Sequence, residues 1–99
     1  VDNHPNEIIR AHVWVKGRVQ GVGFRAHVEY QAVQIGVTGW VRNVGWDTVE
    51  AVAEGEHEIV ERFIEMIKKG PRASRVDECK VEYENATGEF KEFGVKRSG

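Results

Sequence analysis

Cysteine is nearly absent: Cys79 is the only one in 99 residues. A single thiol excludes an internal disulfide and any metal cluster built from several cysteines. Its neighbours alternate polar with apolar, so Cys79 reads as a small hydrophobe on a strand rather than as a nucleophile. Long hydrophobic runs are also missing, and no stretch approaches the roughly 20 apolar residues that span a bilayer. The first residues, Val1 to Asn6, are polar and show no charged-then-apolar signal pattern, so a reducing, cytoplasmic setting is expected. Neither sign of charge is in large excess. A formal net charge of -2 gives no whole-molecule attraction to nucleic acid or to an anionic membrane. The histidines His4, His12, His27 and His57 are scattered without metal-ligand spacing, so no metal and no cofactor are expected. An anion, if bound, must be held by a local device.

What is present suits one folded domain. The length is enough for one domain and too short for two, and 40% hydrophobic with 30% charged residues argues against disorder. The sequence divides into a polar tail, residues 1–8, and a domain over residues 9–97. Ile9, Ala11, Val13 and Val15 alternate with Arg10, His12, Trp14 and Lys16, the period of a strand with one apolar face. A glycine-rich loop follows, and from Phe24 to Ile35 the pattern turns helical, with Phe24, Val28, Ala32 and Ile35 on one stripe. Val37 to Val44 and Thr48 to Ala53 read as two strands of a hairpin joined at Gly45-Trp46-Asp47. A second helix is expected from about Glu56 to Lys69, buried through Ile59, Val60, Phe63, Ile64 and Ile67 and stopped by Gly70-Pro71. A strand around Cys79 to Glu84, a turn from Asn85 to Gly88, and a short last strand at Phe93 and Val95 complete the order. Two βαβ units sharing a hairpin predict an α+β, ferredoxin-like βαββαβ sandwich, with a mostly antiparallel sheet and both helices on one face.

The loop before the first helix carries the chemistry. A helix amino terminus leaves N–H groups unpaired and bears partial positive charge. Glycines ahead of it let the main chain curl until several N–H groups converge on one point, a nest for phosphate oxygens. Gln20-Gly21-Val22-Gly23-Phe24-Arg25 fits that device, and a guanidinium at Arg25 can grip two oxygens of one anion. On the residues alone a second reading stands beside it: a strand-to-helix turn with glycines for conformational freedom and a solvated arginine. Two other phosphate motifs are excluded. No Gly-Lys-Ser/Thr is present, so this is not a nucleotide triphosphatase loop. Gly21 to Ala26 matches the dinucleotide pattern G-x-G-x-x-A, but the acid expected about twenty residues later is missing, and Asn43 occupies that region.

Gly17-Arg18-Val19-Gln20-Gly21-Val22-Gly23-Phe24-Arg25 closely resembles the signature loop of the acylphosphatase family. Gly39-Trp40-Val41-Arg42-Asn43 is similar to that family's second strand, Val49 to Gly55 to its third, and Gly70-Pro71-Arg72-Ala73-Ser74-Arg75-Val76 to the segment after its second helix. The four motifs stand in family order and cover most of the chain from about Val13 to Val95. The resemblance implies that Arg25 anchors phosphate, that the main chain of Gln20, Gly21, Val22, Gly23 and Phe24 forms the cradle, and that Asn43 orients the attacking water. It implies an acyl phosphate as substrate, inorganic phosphate or sulfate as ligand, and a monomer. One departure lies at the hairpin, where the family usually has Asp-Gly. Here Trp46-Asp47 follows Gly45, with the count to Val49 unchanged, and the departure bears on the rim of the site.

Such chemistry needs few groups. An acyl phosphate leaves as a carboxylate, the anion of an acid with pKa near about 4, so a proton donor is dispensable. Glu29 and Glu50 could form an acid–base pair, though nothing in their spacing demands one, and His27 reads as a solvated helix-face residue. Other classes remain in view. An RNA-binding module shares the topology, but Thr48 to Ala53 carries no aromatic on which to stack a base. An anion sensor would keep the cradle without needing both Arg25 and Asn43. A carbamoyl-phosphate-handling module of a larger protein is the alternative within the family, and the length favours the free enzyme.

Overall fold

The computed structural model describes residues 7–99. Seven elements follow in the order β1 (Ile8–Arg18), α1 (Phe24–Ile35), β2 (Thr38–Val44), β3 (Thr48–Glu56), α2 (His57–Lys69), β4 (Arg75–Asn85) and β5 (Phe93–Val95). The strands form one sheet in the order β4-β1-β3-β2-β5. The pairings β1–β3, β1–β4 and β2–β3 are antiparallel, and β2–β5 is parallel. This is the ferredoxin-like sandwich that the element order predicts, extended by one short edge strand.

Alternation decides which face is dry. Ala11, Val13 and Val15 of β1, Val41 of β2, and Val49, Ala51 and Ala53 of β3 are buried against Phe24, Val28 and Ala32 of α1 and Val60, Phe63, Ile64 and Ile67 of α2. Both helices therefore lie on one face, α1 over β2 and β5, α2 over β1, β3 and β4. Among the described residues, no helix is long and apolar enough to cross a membrane.

Element ends differ from the alternation where something besides burial sets them. β1 runs from Ile8 to Arg18 and β4 begins at Arg75, four residues ahead of Cys79. A register shift between Lys16 and Gly17 lets Gly17 and Arg18 pair with Val76 and Arg75. The bulge breaks the two-residue period, which hides that pairing from a pattern reading. β3 continues to Glu56 because Ile8, Ile9 and Arg10 pair with Glu56, Gly55 and Glu54. Glu56 is the N-cap of α2 and not its first residue. Cys79 is half-buried, and burial pushes its thiol up against an opposing pull from Lys68, away from nucleophile chemistry.

The other face of the sheet is polar and ordered. Glu50 takes a bond from Arg42 Nε at 2.7 Å and lies 2.6 Å from His12 Nε2. Trp14 stacks on His12 with ring centroids 3.9 Å apart, and Lys80 sits 5.3 Å over the indole. The sequence leaves Trp14 two equal readings, a contact for a partner or cover by the tail Val1 to Ile8, and residues 1–6 of that tail lie outside the described residues. Glu54, 3% exposed, accepts bonds from the N–H groups of Thr87 and Gly88 at 2.9 and 3.0 Å, which lays the loop after β4 across this face.

Burial pushes the Glu50 carboxyl up, but the bonds from His12 and Arg42 and the charges of both outweigh it, and the group lies below the ordinary carboxylate value. A depressed folded value stabilises the fold above the unfolded pKa, and that contribution is lost as pH falls through the folded value. We expect Glu50→Gln to cost about 1.5–3 kcal/mol at neutral pH, the range for hydrogen bonds to charged groups. We also expect it to flatten the acid limb of stability, and urea unfolding across a pH series measures both effects.

Candidate active site

The site forms where β1 ends, α1 begins and the β2–β3 hairpin turns. Val19 and Phe24, each 1% exposed, plunge into the core on either side of the loop, and half-buried Val22 packs against that core between them. Gly21 and Gly23 face outward with φ of 73° and 76°, left-handed values that a side chain resists. The inward residues clamp a short loop whose two bends only glycine takes without strain.

The helix end is left open. Gly23 is the N-cap of α1 and offers no side-chain cap, and the first turn carries no acid. The first helical bond runs from the His27 N–H to the Gly23 carbonyl at 3.0 Å. Among the described residues, no N–H from Gly21 to Ala26 finds a protein acceptor. Unpaired donors at a helix start satisfy an anion well, and the helix dipole adds to the attraction.

Arg25 and Asn43 meet at this point from different elements. Arg25 lies in the first turn of α1 and Asn43 near the end of β2, and both line a cavity of about 350 Å³ together with Gln20, Gly21, Gly23 and Phe24. Among the described residues, the Arg25 guanidinium makes no hydrogen bond or ion pair. Asn43 Oδ1 is buried and likewise unpartnered. A buried acceptor without a partner is costly, so a native one calls for an explanation, such as a water or ligand. A half-buried arginine, a set of free amides and an open acceptor can hold a tetrahedral oxyanion and a water beside it.

Gln20 ties the two parts together. Its side-chain amide reaches the carbonyls of Thr48 at 2.9 Å, Gly45 at 3.2 Å and Val44 at 3.4 Å, all on the hairpin beyond Asn43. That amide is occupied, so Gln20 has its main chain to offer a ligand. Val22 is the one predicted loop residue that does not line the cavity, its side chain being turned to the core.

Some lining residues escaped the sequence reading. Val19, Ala26 and Val95 close the walls, and Glu29, weighed in the sequence only as half of an acid–base pair with Glu50, stands one helical turn beyond Arg25. The i, i+4 spacing on α1 could have flagged Glu29 as sharing Arg25's face. Val95 could not have been found, because β5 reaches β2 only through a long connection. Glu50 sits on the opposite face of the sheet with His12 and Arg42, so it makes no acid–base pair with Glu29. Among the described residues, no three His, Cys, Asp or Glu side chains converge as metal ligands.

The chain is an α+β sandwich in which an uncapped helix start and a strand-borne amide line one cavity. The family model described as acylphosphatase matches residues 11–95. An acylphosphatase of Pelotomaculum thermopropionicum is 48% identical over 86 residues, covering 87% of this chain and 94% of that relative. The crystal structure of acylphosphatase from Bacillus subtilis superposes with a TM-score of 0.85 at 33% identity, covering 89% of this chain and 98% of the other. The crystal structure of full-length HypF in its phosphate- and nucleotide-bound form gives 0.83 at 32% identity, over 93% of this chain but 12% of that one. The chain belongs to the acylphosphatase family and is accordingly a hydrolase.

Because a displacement of about 1 Å can cost about 100-fold in rate, the Gln20 tie is predicted to matter for turnover more than for folding. Gln20→Ala should lose about 1 kcal/mol of stability and about ten- to 100-fold in kcat/KM. Urea unfolding and steady-state kinetics on an acyl phosphate measure the two effects separately. An unchanged kcat/KM would mean that the loop holds its shape without the hairpin.

Proposed function

We propose that this chain hydrolyses acyl phosphates to a carboxylate and inorganic phosphate, with the phosphoryl group held by Arg25 and the main chain of Gln20 to Phe24, and with Asn43 orienting the attacking water. The observation that carries the reading is the buried Oδ1 of Asn43, on the same cavity as Arg25 and the open start of α1, with neither side chain partnered among the described residues. Oδ1 accepts a hydrogen bond from water and so turns a lone pair of that water toward phosphorus. The side chain is neutral and does not repel an anionic substrate. As the water oxygen bonds to phosphorus, the bond from phosphorus to the acyl oxygen breaks, the carboxylate departs, and the proton released by the water ends on phosphate. Negative charge gathers on the equatorial oxygens, where fixed donors contribute most.

The support is independent of any proton donor, which a weakly basic leaving group does not require. An RNA-binding reading gains nothing from the polar sheet face, where Glu50 and Glu54 are buried among their own partners. The likeness to HypF concerns this domain alone. We take residues 9–97 as the functional unit, acting as a monomer on a small-molecule substrate in the cytoplasm, a placement that an unpaired Cys79 suits.

Hydrolysis of benzoyl phosphate in the presence of a strong chelator tests the reading directly, and activity should persist. Arg25→Lys and Arg25→Ala should each lower kcat by about 100- to 1,000-fold, the loss typical of one positioned transition-state donor. Full activity in Arg25→Ala would overturn the assignment. Asn43→Ala should lower kcat comparably while inhibition by inorganic phosphate stays close to wild type. The opposite pattern, weakened phosphate inhibition with turnover intact, would exchange the two roles.

A further inference from the structure

The turn between β2 and β3 carries an indole that packing does not explain. Trp46 is 84% exposed, more than any other large apolar side chain among the described residues. Leaving that much apolar surface in water is unfavourable. The turn is nevertheless fastened on both sides of it. The Gly17 N–H donates to the Asp47 carbonyl at 3.0 Å, the Thr48 hydroxyl donates to Asp47 Oδ1 at 2.9 Å, and the Gln20 amide donates to the Gly45 carbonyl at 3.2 Å. The backbone that presents the indole is thus bound to the same loop that builds the anion cradle.

Trp46 lines a second cavity, of about 420 Å³, which shares Val19 and Gln20 with the cavity holding Arg25 and Asn43. Its charges cancel: Arg18 and Arg75 stand against Asp47 and Asp77, and Arg75 is bonded to Asp77 at 2.9 Å. Lys16, which does not line this cavity, lies 3.8 Å from Asp47. A balanced lining of this kind does not select a second anionic group. What remains beside the cradle is a free aromatic face. In an acyl phosphate one oxygen separates phosphorus from the acyl carbon, so the acyl substituent lies close to the cradle, and Val19 and Gln20 form the wall that the two cavities share.

We infer that Trp46 is a specificity-determining residue that stacks on flat, aromatic acyl groups and so favours aroyl phosphates over small aliphatic ones. The inference rests on the reading of the first cavity as the phosphoryl site. Stacking holds the acyl group in the ground state and the transition state alike, so it acts through KM more than through kcat.

Steady-state kinetics on benzoyl phosphate and acetyl phosphate test it, with inhibition by inorganic phosphate measured in parallel. Trp46→Ala should lower the benzoyl-to-acetyl ratio of kcat/KM by about three- to tenfold, mainly through a higher KM for benzoyl phosphate. Trp46→Phe should keep the ratio within about twofold of wild type, because a ring is retained. The phosphate inhibition constant should not move in either variant. An unchanged ratio in Trp46→Ala, with phosphate inhibition intact, overturns the acyl subsite and leaves the phosphoryl site standing. Failure of the wild-type protein to hydrolyse either substrate removes the phosphoryl-site reading, and the subsite with it.

Discussion

The side-chain amide of Gln20 joins two pieces of chain that sequence separates by more than twenty residues, and the geometry of the site depends on that join. An amide nitrogen has two hydrogens, so of the three carbonyls within reach those of Thr48 and Gly45 receive the better bonds and Val44 the longest. The Gly17 N–H adds a fourth contact between loop and hairpin through the Asp47 carbonyl. From the C-terminal side, the Gly99 N–H donates to the Asn43 carbonyl at 2.8 Å and the Lys96 N–H to Val41 at 2.8 Å. Asn43 therefore sits on a strand bonded along both edges, facing a loop that is bonded to the same hairpin. An arginine on a helix and an asparagine on a strand can then hold a fixed separation without touching each other.

The electrostatic design is local. The chain as a whole is slightly acidic, with a net charge of -2, yet the cradle is positive because one helix start lacks both a cap and an acid. Elsewhere such a start is answered from within: α2 has Glu58 in its first turn and Lys68 and Lys69 in its last. On the open sheet face, carboxylates and cations are matched to one another, as Glu50 is to Arg42 and His12, so they do not compete for an incoming anion. At the start of α1 neither a side-chain cap nor a first-turn acid answers the helix dipole.

Much of this was legible in the amino-acid order, for reasons that differ by element. Burial on one side of a sheet or helix imposes a period, so β1, α1 and α2 could be read from Ala11-x-Val13-x-Val15, Phe24–Val28–Ala32 and Val60–Phe63–Ile64–Ile67. β4 was legible only from Cys79, because the bulge opposite Gly17 shifts the register and Arg75 to Glu78 carry no apolar period of their own. Glycines mark left-handed bends, which made the loop readable, while Val22 and Phe24 beside them look alike in sequence although one only flanks the cavity wall and the other lines it. The wall contributed by Val95 and the hold exerted by Gln20 were not legible. Both are contacts between distant segments of chain, and neither leaves a periodic trace.

A site assembled from main-chain donors asks the core to do what a capping side chain does elsewhere. Val19 and Phe24 are buried residues of the hydrophobic cluster and also the two ends of the cradle, so folding and site assembly are one event. In the proposed reaction the donors then need no reorganisation when charge develops, which is the condition under which fixed dipoles lower a barrier most. The same economy explains why the hairpin tip can vary while the chemistry is kept. Trp46 projects from a turn whose ends are bonded through Gly45, Asp47 and Thr48, so its own side chain carries none of the geometry that places Asn43. Residues that shape the cradle belong to the core and, on the proposed reading, also answer to the ligand. On the proposed reading, the residue at the tip answers to what lies beyond the phosphoryl group, and that is where preference among substrates can change without cost to the reaction they share.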